Sequence, residues 1–158
     1  MQILPDIFKY FKVTKPKRRR AVSSKKVKTW VLDDQKLLNL WQNLSLQYFP
    51  DNRDLANYKV KWSRRKQKRV LGSCSIRSKR VSIAPALSLP SCERWLEAVL
   101  YHEMCHAALG DSIAKLSGRR AWHGPEFKFL ESKHPETINL KVWMKSGGWQ
   151  AAVKEFHR

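Results

Sequence analysis

The sequence predicts an α+β domain, a small antiparallel sheet packed with helices of which one is buried, and three features predict it. Residues 34–48 repeat apolar side chains at helical spacing, residues 58–62 alternate apolar and polar as a half-buried strand does, and residues 95–109 carry an apolar pattern too long for a strand. The chain has 158 residues, 42% of them hydrophobic and seven of them Trp, so a single domain can bury enough surface to offset its ordering cost.

Residues 1–30 are read as a basic arm. Residues 12–28 crowd like charges together without apolar periodicity, the composition of a disordered segment, although Ile3, Leu4, Ile7, Phe8 and Phe11 before them would share one face of a helix. The folded domain is expected over residues 31–158. Its first helix runs from Asp34 to Tyr48, capped by Asp33 or Asp34, with Leu37, Leu40, Trp41, Leu44 and Tyr48 on the inner face and Pro50 as the stop. Tyr58, Val60 and Trp62 then alternate with Lys59, Lys61 and Ser63, and a basic turn follows at Arg64 to Lys68. Val70 to Ile76 and Val81 to Ala84 read as two further strands joined by a polar turn at Arg77 to Lys79, completing an antiparallel sheet or meander.

Pro90 and Ser91 open the buried helix, whose Trp95, Leu96, Val99, Leu100, Met104, Ala107 and Leu109 leave little polar surface, and Gly110 is placed to end it. Gly118 to Trp122 reads as a loop and Glu126 to Ser132 as a short helix with Pro125 in its first turn. From Ile138 the pattern is ambiguous, with Gly147 and Gly148 breaking it before a last helix to Phe156.

Thirty-two Lys and Arg against 13 Asp and Glu give a net charge of +19, far beyond the magnitude of roughly 2–8 that solubility asks for. The charge is also clustered, since residues 9–28 and 59–80 each hold ten Lys or Arg and no acid. Such segments attract polyanions, and Lys17, Arg18, Arg19 and Arg20 of the arm, with Arg64, Arg65, Lys66, Lys68 and Arg69 of the basic turn, are the candidate nucleic-acid contacts. Trp62 beside that turn reads first as a core residue of the sheet, with stacking on an unpaired base as the alternative. The three cysteines, Cys74, Cys92 and Cys105, form no Cys-x-x-Cys pair and fit neither a disulfide framework nor a cysteine zinc ribbon, which favours a reducing, intracellular setting. No apolar run approaches the roughly 18 residues of a membrane span, so no membrane association is expected.

The buried helix contains His102-Glu103-Met104-Cys105-His106, a His-Glu-x-x-His pattern. Residues four apart lie one turn apart on the same face, so both imidazoles can reach one tetrahedral zinc at about 2.0–2.1 Å. Glu103, beside the first ligand, is then placed to take a proton from a zinc-activated water that attacks a peptide carbonyl. The alternative is a hydrogen-bonded histidine pair without metal. It is disfavoured because two imidazoles and a carboxylate in an apolar helix need a partner, and a metal supplies one. A catalytic zinc takes three protein ligands and keeps an open position, and His123, in a Gly-Pro turn that opens a helix, is the best third candidate. His134 sits before Pro135 in a polar loop and His157 is one residue from the end, which makes both weaker. Cys105 lies on a different face of the helix from the histidines and reads as structural.

With these motifs the chain resembles the SprT-like metalloproteases, a family that includes proteases of DNA–protein crosslinks. The resemblance runs from about Tyr58 to Leu130 through Val60-Lys61-Trp62-Ser63, Leu71-Gly72-Ser73-Cys74, Val81 to Leu87, Leu100 to Ala107 and His123-Gly124-Pro125-Glu126-Phe127, the last two being the specific ones. It implies a compact open-cleft domain in which His102, His106 and His123 bind one zinc and Glu103 is the catalytic base. Many relatives carry a cysteine-rich zinc-binding segment that contacts DNA, whereas here no Cys follows Cys105, so DNA binding is expected to rest on the basic segments. Ala84 stands where relatives often have Asn.

The expectation is therefore a zinc endopeptidase acting on proteins bound or crosslinked to DNA, monomeric, and placed at the nucleoid or in the nucleus according to source. Two alternatives stand beside it: a zinc protease with another protein target, and a nucleic-acid-binding module with a structural zinc. Glu103 argues against the second, since a structural site has no use for a base. The strand Val81 to Ala84 is expected to border the cleft and to accept substrate as an added strand.

Overall fold

The computed structural model describes residues 32–112 and 122–158, together with the backbone of Lys115–Leu116 and Arg119–Arg120. The basic arm and its contacts Lys17, Arg18, Arg19 and Arg20 lie outside the described residues. Helix α1 (Asp34–Tyr48) begins where Asp33 accepts a 2.8 Å hydrogen bond from the Gln35 amide, satisfying one of the donors a helix start leaves unpaired. Leu37, Trp41 and Leu44 bury one face of α1, as their spacing requires.

Three strands follow, β1 (Lys59–Trp62), β2 (Gly72–Ser75) and β3 (Arg80–Ile83). They do not form the expected antiparallel meander. β3 lies in the middle, antiparallel to β2 but parallel to β1, with Lys59 opposite Arg80 and Gly72 opposite Ile83. The reason is the connection: β2 and β3 close a tight hairpin through Lys79 at φ 47°, whereas residues 63–71 are long enough to carry the chain across the sheet before β2 begins. The strand expected over Val70 to Ile76 shortens to four residues, and Val70 is exposed. The alternation read from the sequence holds in β1 and β3, whose Val60, Trp62, Val81 and Ile83 point into the core while Lys59, Lys61 and Arg80 face out. Trp62 is a core residue rather than a base-stacking platform: it is 6% exposed, and its indole nitrogen donates to the Asp33 carbonyl at 3.0 Å. Its amide donates to the Asp34 carboxylate, tying β1 to the start of α1.

Two short 3₁₀ turns, Pro85–Ser88 and Pro90–Cys92, lead from the sheet into α2 (Glu93–Leu109). Helix α2 is buried on most sides, as read: Leu96, Leu100, Tyr101, Met104 and Cys105 are each 2% exposed or less. Gly110 ends it at φ 53°, a left-handed conformation that a side chain would disfavour. Where a loop was expected over Gly118 to Trp122, β4 (Lys115–Leu116) and β5 (Arg119–Arg120) pair antiparallel. Helix α3 (Pro125–Glu131) starts at the proline, α4 (Thr137–Lys145) occupies the stretch whose periodicity was ambiguous, and α5 (Gly148–Phe156) closes the described chain. The α5 residue Trp149 donates to the Lys68 carbonyl at 3.1 Å, holding the basic turn against the body of the protein. No helix among the described residues is long and apolar enough to cross a membrane.

Candidate active site

Helix α2 carries His102 and His106 on one face, one turn apart, and the turn before α3 brings His123 to them. One ring nitrogen from each of the three lies within 4.8 Å of the others, and the Nε2 atoms of His106 and His123 are 3.1 Å apart. Nitrogens around a tetrahedral ion at about 2.0–2.1 Å are separated by roughly 3.3–3.4 Å, so the donor set fits one metal with only side-chain adjustment. His106 is pushed down to about 4 by burial first and by His102 and His123 next, and burial likewise lowers His123. Neutral imidazoles with free lone pairs are what a metal requires.

Phe127 of α3, 1% exposed, is the floor of this cluster. Its ring stacks on His106 with centroids 4.4 Å apart and meets His102 and His123 edge-on at 5.0 and 4.8 Å. The fold thus uses one buried aromatic to set three rings that come from two separate elements. Tyr101 reinforces the arrangement by donating to the Leu130 carbonyl at 2.8 Å, which pins α3 to α2.

Two supporting residues escaped the sequence reading. Glu131, at the end of α3, accepts from His102 Nδ1 at 2.8 Å through Oε1 and from Lys141 Nζ at 2.6 Å through Oε2. Because a carboxylate only accepts, the hydrogen sits on Nδ1 and leaves His102 Nε2 as the ligand atom. Burial acts to raise the Glu131 carboxyl, but the hydrogen bonds from His102 and Lys141 outweigh it and hold the group at about 2. Nothing local in the sequence marks it, since it lies 29 residues from its partner. Glu131→Ala is expected to weaken metal affinity by about 10–100-fold, the usual cost of losing such a support, with the helical circular dichroism unchanged. Competition with a chromogenic chelator measures it, and an affinity within twofold of the parent would mean that His102 is oriented by something else.

Gly72 is the second. The Glu103 side chain is 5% exposed and lies directly against the β2 backbone: a Cβ on Gly72 would come 2.8 Å from Oε1, 3.1 Å from Cγ and 3.2 Å from Cδ of Glu103. Only glycine leaves room for the carboxylate there. Burial pushes the Glu103 carboxyl up to about 7, with the His102 ring pulling the other way. Gly72→Ala should displace the carboxylate without touching a metal ligand, and misplacement on the ångström scale costs about 10²-fold in turnover. Unchanged metal content with turnover reduced to that extent is the expected pair of readings; full turnover would show that the carboxylate does not need this seat.

A cavity of about 510 Å³ opens at the cluster, between the β2 edge and α2, with Val70, Val99, Leu140 and Met144 adding apolar wall to His102 and Glu103. β2, and not the strand Val81 to Ala84, borders it. β3 is paired on both sides and has no edge to offer, while β2 has no second strand partner among the described residues. His134, in the loop expected for it, stays away from the cluster and is buried against Tyr101, with Nε2 3.3 Å from Glu97. Cys105 is buried, as read, and desolvation lifts its thiol to about 12. Arg64, Arg65, Lys66, Lys68 and Arg69 sit outside the histidine cluster, on the loop between β1 and β2, and only Arg69 reaches the cavity wall.

An α+β domain with a three-histidine pocket on a buried helix and a glutamate beside the first histidine has the form of a metallopeptidase. The SprT-like family matches residues 37–145, more than two thirds of the chain, and the protein belongs to that family. The match reaches beyond the stretch from Tyr58 to Leu130 to take in most of α1 and all of α4. Neither the curated proteins nor the solved structures gave a match.

Proposed function

We propose that the protein is a zinc-dependent endopeptidase that acts on proteins bound or crosslinked to DNA. The observation that carries the first half is the convergence of His102, His106 and His123 with the buried Glu103 at one end of an open cavity. Zinc in that pocket would supply a Lewis acid that polarises a peptide carbonyl and lowers the pKa of water to about 7. Glu103 takes the proton of the attacking water and returns it to the departing amine. Glu131 and Lys141 keep His102 in the tautomer that leaves Nε2 free, and the buried Phe127 ring packs against all three imidazoles. An extended substrate segment can add along β2 through main-chain hydrogen bonds, which favours flexible stretches over a particular sequence.

The second half rests on charge. A net +19 with no acid between Asp54 and Glu93 favours a polyanion as the companion of the protein substrate. The test is cleavage of a histone and of a casein-like protein by the zinc-loaded chain, with and without single-stranded and duplex DNA. Faster cleavage of the DNA-bound histone, with casein little affected, is the expected result. Equal rates with and without DNA would favour a protease with another target, and no cleavage of either substrate would overturn the enzymatic reading.

A further inference from the structure

The acid-free stretch between Asp54 and Glu93 folds into the whole three-stranded sheet, and five of its ten Lys and Arg line one groove. The exposed positions of β1 and β3 place Lys59, Lys61 and Arg80 on the outer face, the side away from the core. The parallel register sets Lys59 directly opposite Arg80. Like charges directly opposite each other destabilise a sheet, so this pairing costs the free protein stability unless an anion lies across it. None of Lys59, Lys61, Arg64, Arg65 or Arg80 makes an ion pair with a described residue, whereas the neighbouring Lys79 is paired with Asp54.

These five cations line a groove of about 580 Å³ that contains no acidic side chain among the described residues. Its floor is made of small hydroxyl residues, Ser73 of β2 and Ser82 of β3, which the register sets side by side. A floor of serines flanked by Lys and Arg suits a chain of phosphodiesters, which takes hydrogen bonds from hydroxyls and charge from the rim. Among the described residues the groove offers no exposed ring for base stacking, since Trp62 lines it while nearly fully buried. Ser73 also lines the catalytic cavity, so groove and cavity meet across β2.

We infer that the outer face of the sheet, through Lys59, Lys61 and Arg80 with Arg64 and Arg65, binds the sugar-phosphate backbone of a nucleic acid without reading its sequence, and lays it beside the β2 edge of the catalytic cavity. The inference rests on the proposed action at DNA and goes beyond it, because it gives the folded domain its own polyanion site, independent of the arm. A protein attached to the bound strand is then held next to Glu103 without any contact specific to that protein.

The experiment is fluorescence-anisotropy titration of the full chain with a labelled 20-mer, single-stranded and duplex, at several salt concentrations. The variants are Lys59→Gln/Lys61→Gln/Arg80→Gln and an equal charge change elsewhere, Lys133→Gln/Lys145→Gln/Lys154→Gln. The sheet variant should bind about tenfold or more weakly, and its log–log salt slope on duplex should fall by about 0.9 for each phosphate contact removed, with the control close to the parent. Metal content and cleavage of a short peptide should be the same in all three, which shows that the fold is intact. Equal losses in the sheet variant and the control would overturn the site while leaving the DNA reading in place. Absence of binding by the parent at physiological salt would overturn both. A sheet variant that keeps its DNA affinity but loses binding to phosphatidylserine vesicles or to polyglutamate would overturn the phosphodiester assignment in favour of those anions.

Discussion

Glu103→Gln is expected to keep about one zinc per chain and to lose proteolysis by about 10²–10⁴-fold, the usual contribution of a general base. The two effects separate because Glu103 points at the Gly72 backbone while the metal-binding nitrogens come from His102, His106 and His123. Glutamine keeps the volume of a side chain that is 5% exposed, so the packing against β2 survives the change. Elemental analysis beside a cleavage assay reads both quantities on the same sample. Retained cleavage, above a matched control for contaminating protease, would remove Glu103 from the mechanism.

His123→Ala is expected to act on the other quantity, lowering zinc occupancy and carrying activity down with it. His123 is the only one of the three histidines outside α2, held 4.8 Å from Phe127 at the turn into α3. With it gone, His102 and His106 remain as two ligands from one helix, one short of the three protein ligands a catalytic zinc takes. The loss of affinity should exceed the roughly 10–100-fold expected for Glu131→Ala, which removes only a support. Chelator competition measures it, and zinc held at parental affinity would give the third position to another group.

The three histidines were legible in the sequence for different reasons. The His102–His106 spacing is a property of the helix itself, and the helix announces its burial through Trp95, Leu96, Val99, Leu100 and Met104, so local periodicity was sufficient. His123 was found by elimination among five histidines and by its Gly-Pro context. Residues whose role depends on who packs against whom were not visible. Glu131 meets His102 only because Tyr101 and Phe127 fasten α3 to α2, and Gly72 matters only because β2 lies on the Glu103 side of the helix. The sheet order is of the same kind. Alternation identifies which residues of β1 and β3 face inward, but it does not say that the chain crosses over between β1 and β2, so a meander was expected where a mixed sheet formed. That error also assigned the substrate edge to β3, which is paired on both sides, whereas β2 lines the cavity and, among the described residues, pairs only with β3. Helix α4 stayed ambiguous because Ile138 and Val142, both exposed, blur its apolar face.

The outer sheet face shows how a compositional signal gains meaning from register. The charges of residues 59–80 were evident as a cluster, and the candidate contacts named from the sequence were Lys17 to Arg20 of the arm with Arg64, Arg65, Lys66, Lys68 and Arg69 of the turn. Parallel pairing brings Lys59 and Arg80, far apart in the chain, onto one surface with Lys61.

The proposed function stands on a zinc that His102, His106 and His123 hold and that Glu103 needs for peptide hydrolysis. Its most direct test is cleavage of an unfolded protein by the parent chain and by Glu103→Gln, as purified, after removal of metal by a chelator, and after return of one equivalent of zinc. The parent should lose cleavage with the metal and regain it with zinc, while the variant takes up zinc and stays inactive. Cleavage by the metal-free parent, or recovery by zinc-loaded Glu103→Gln, would contradict it.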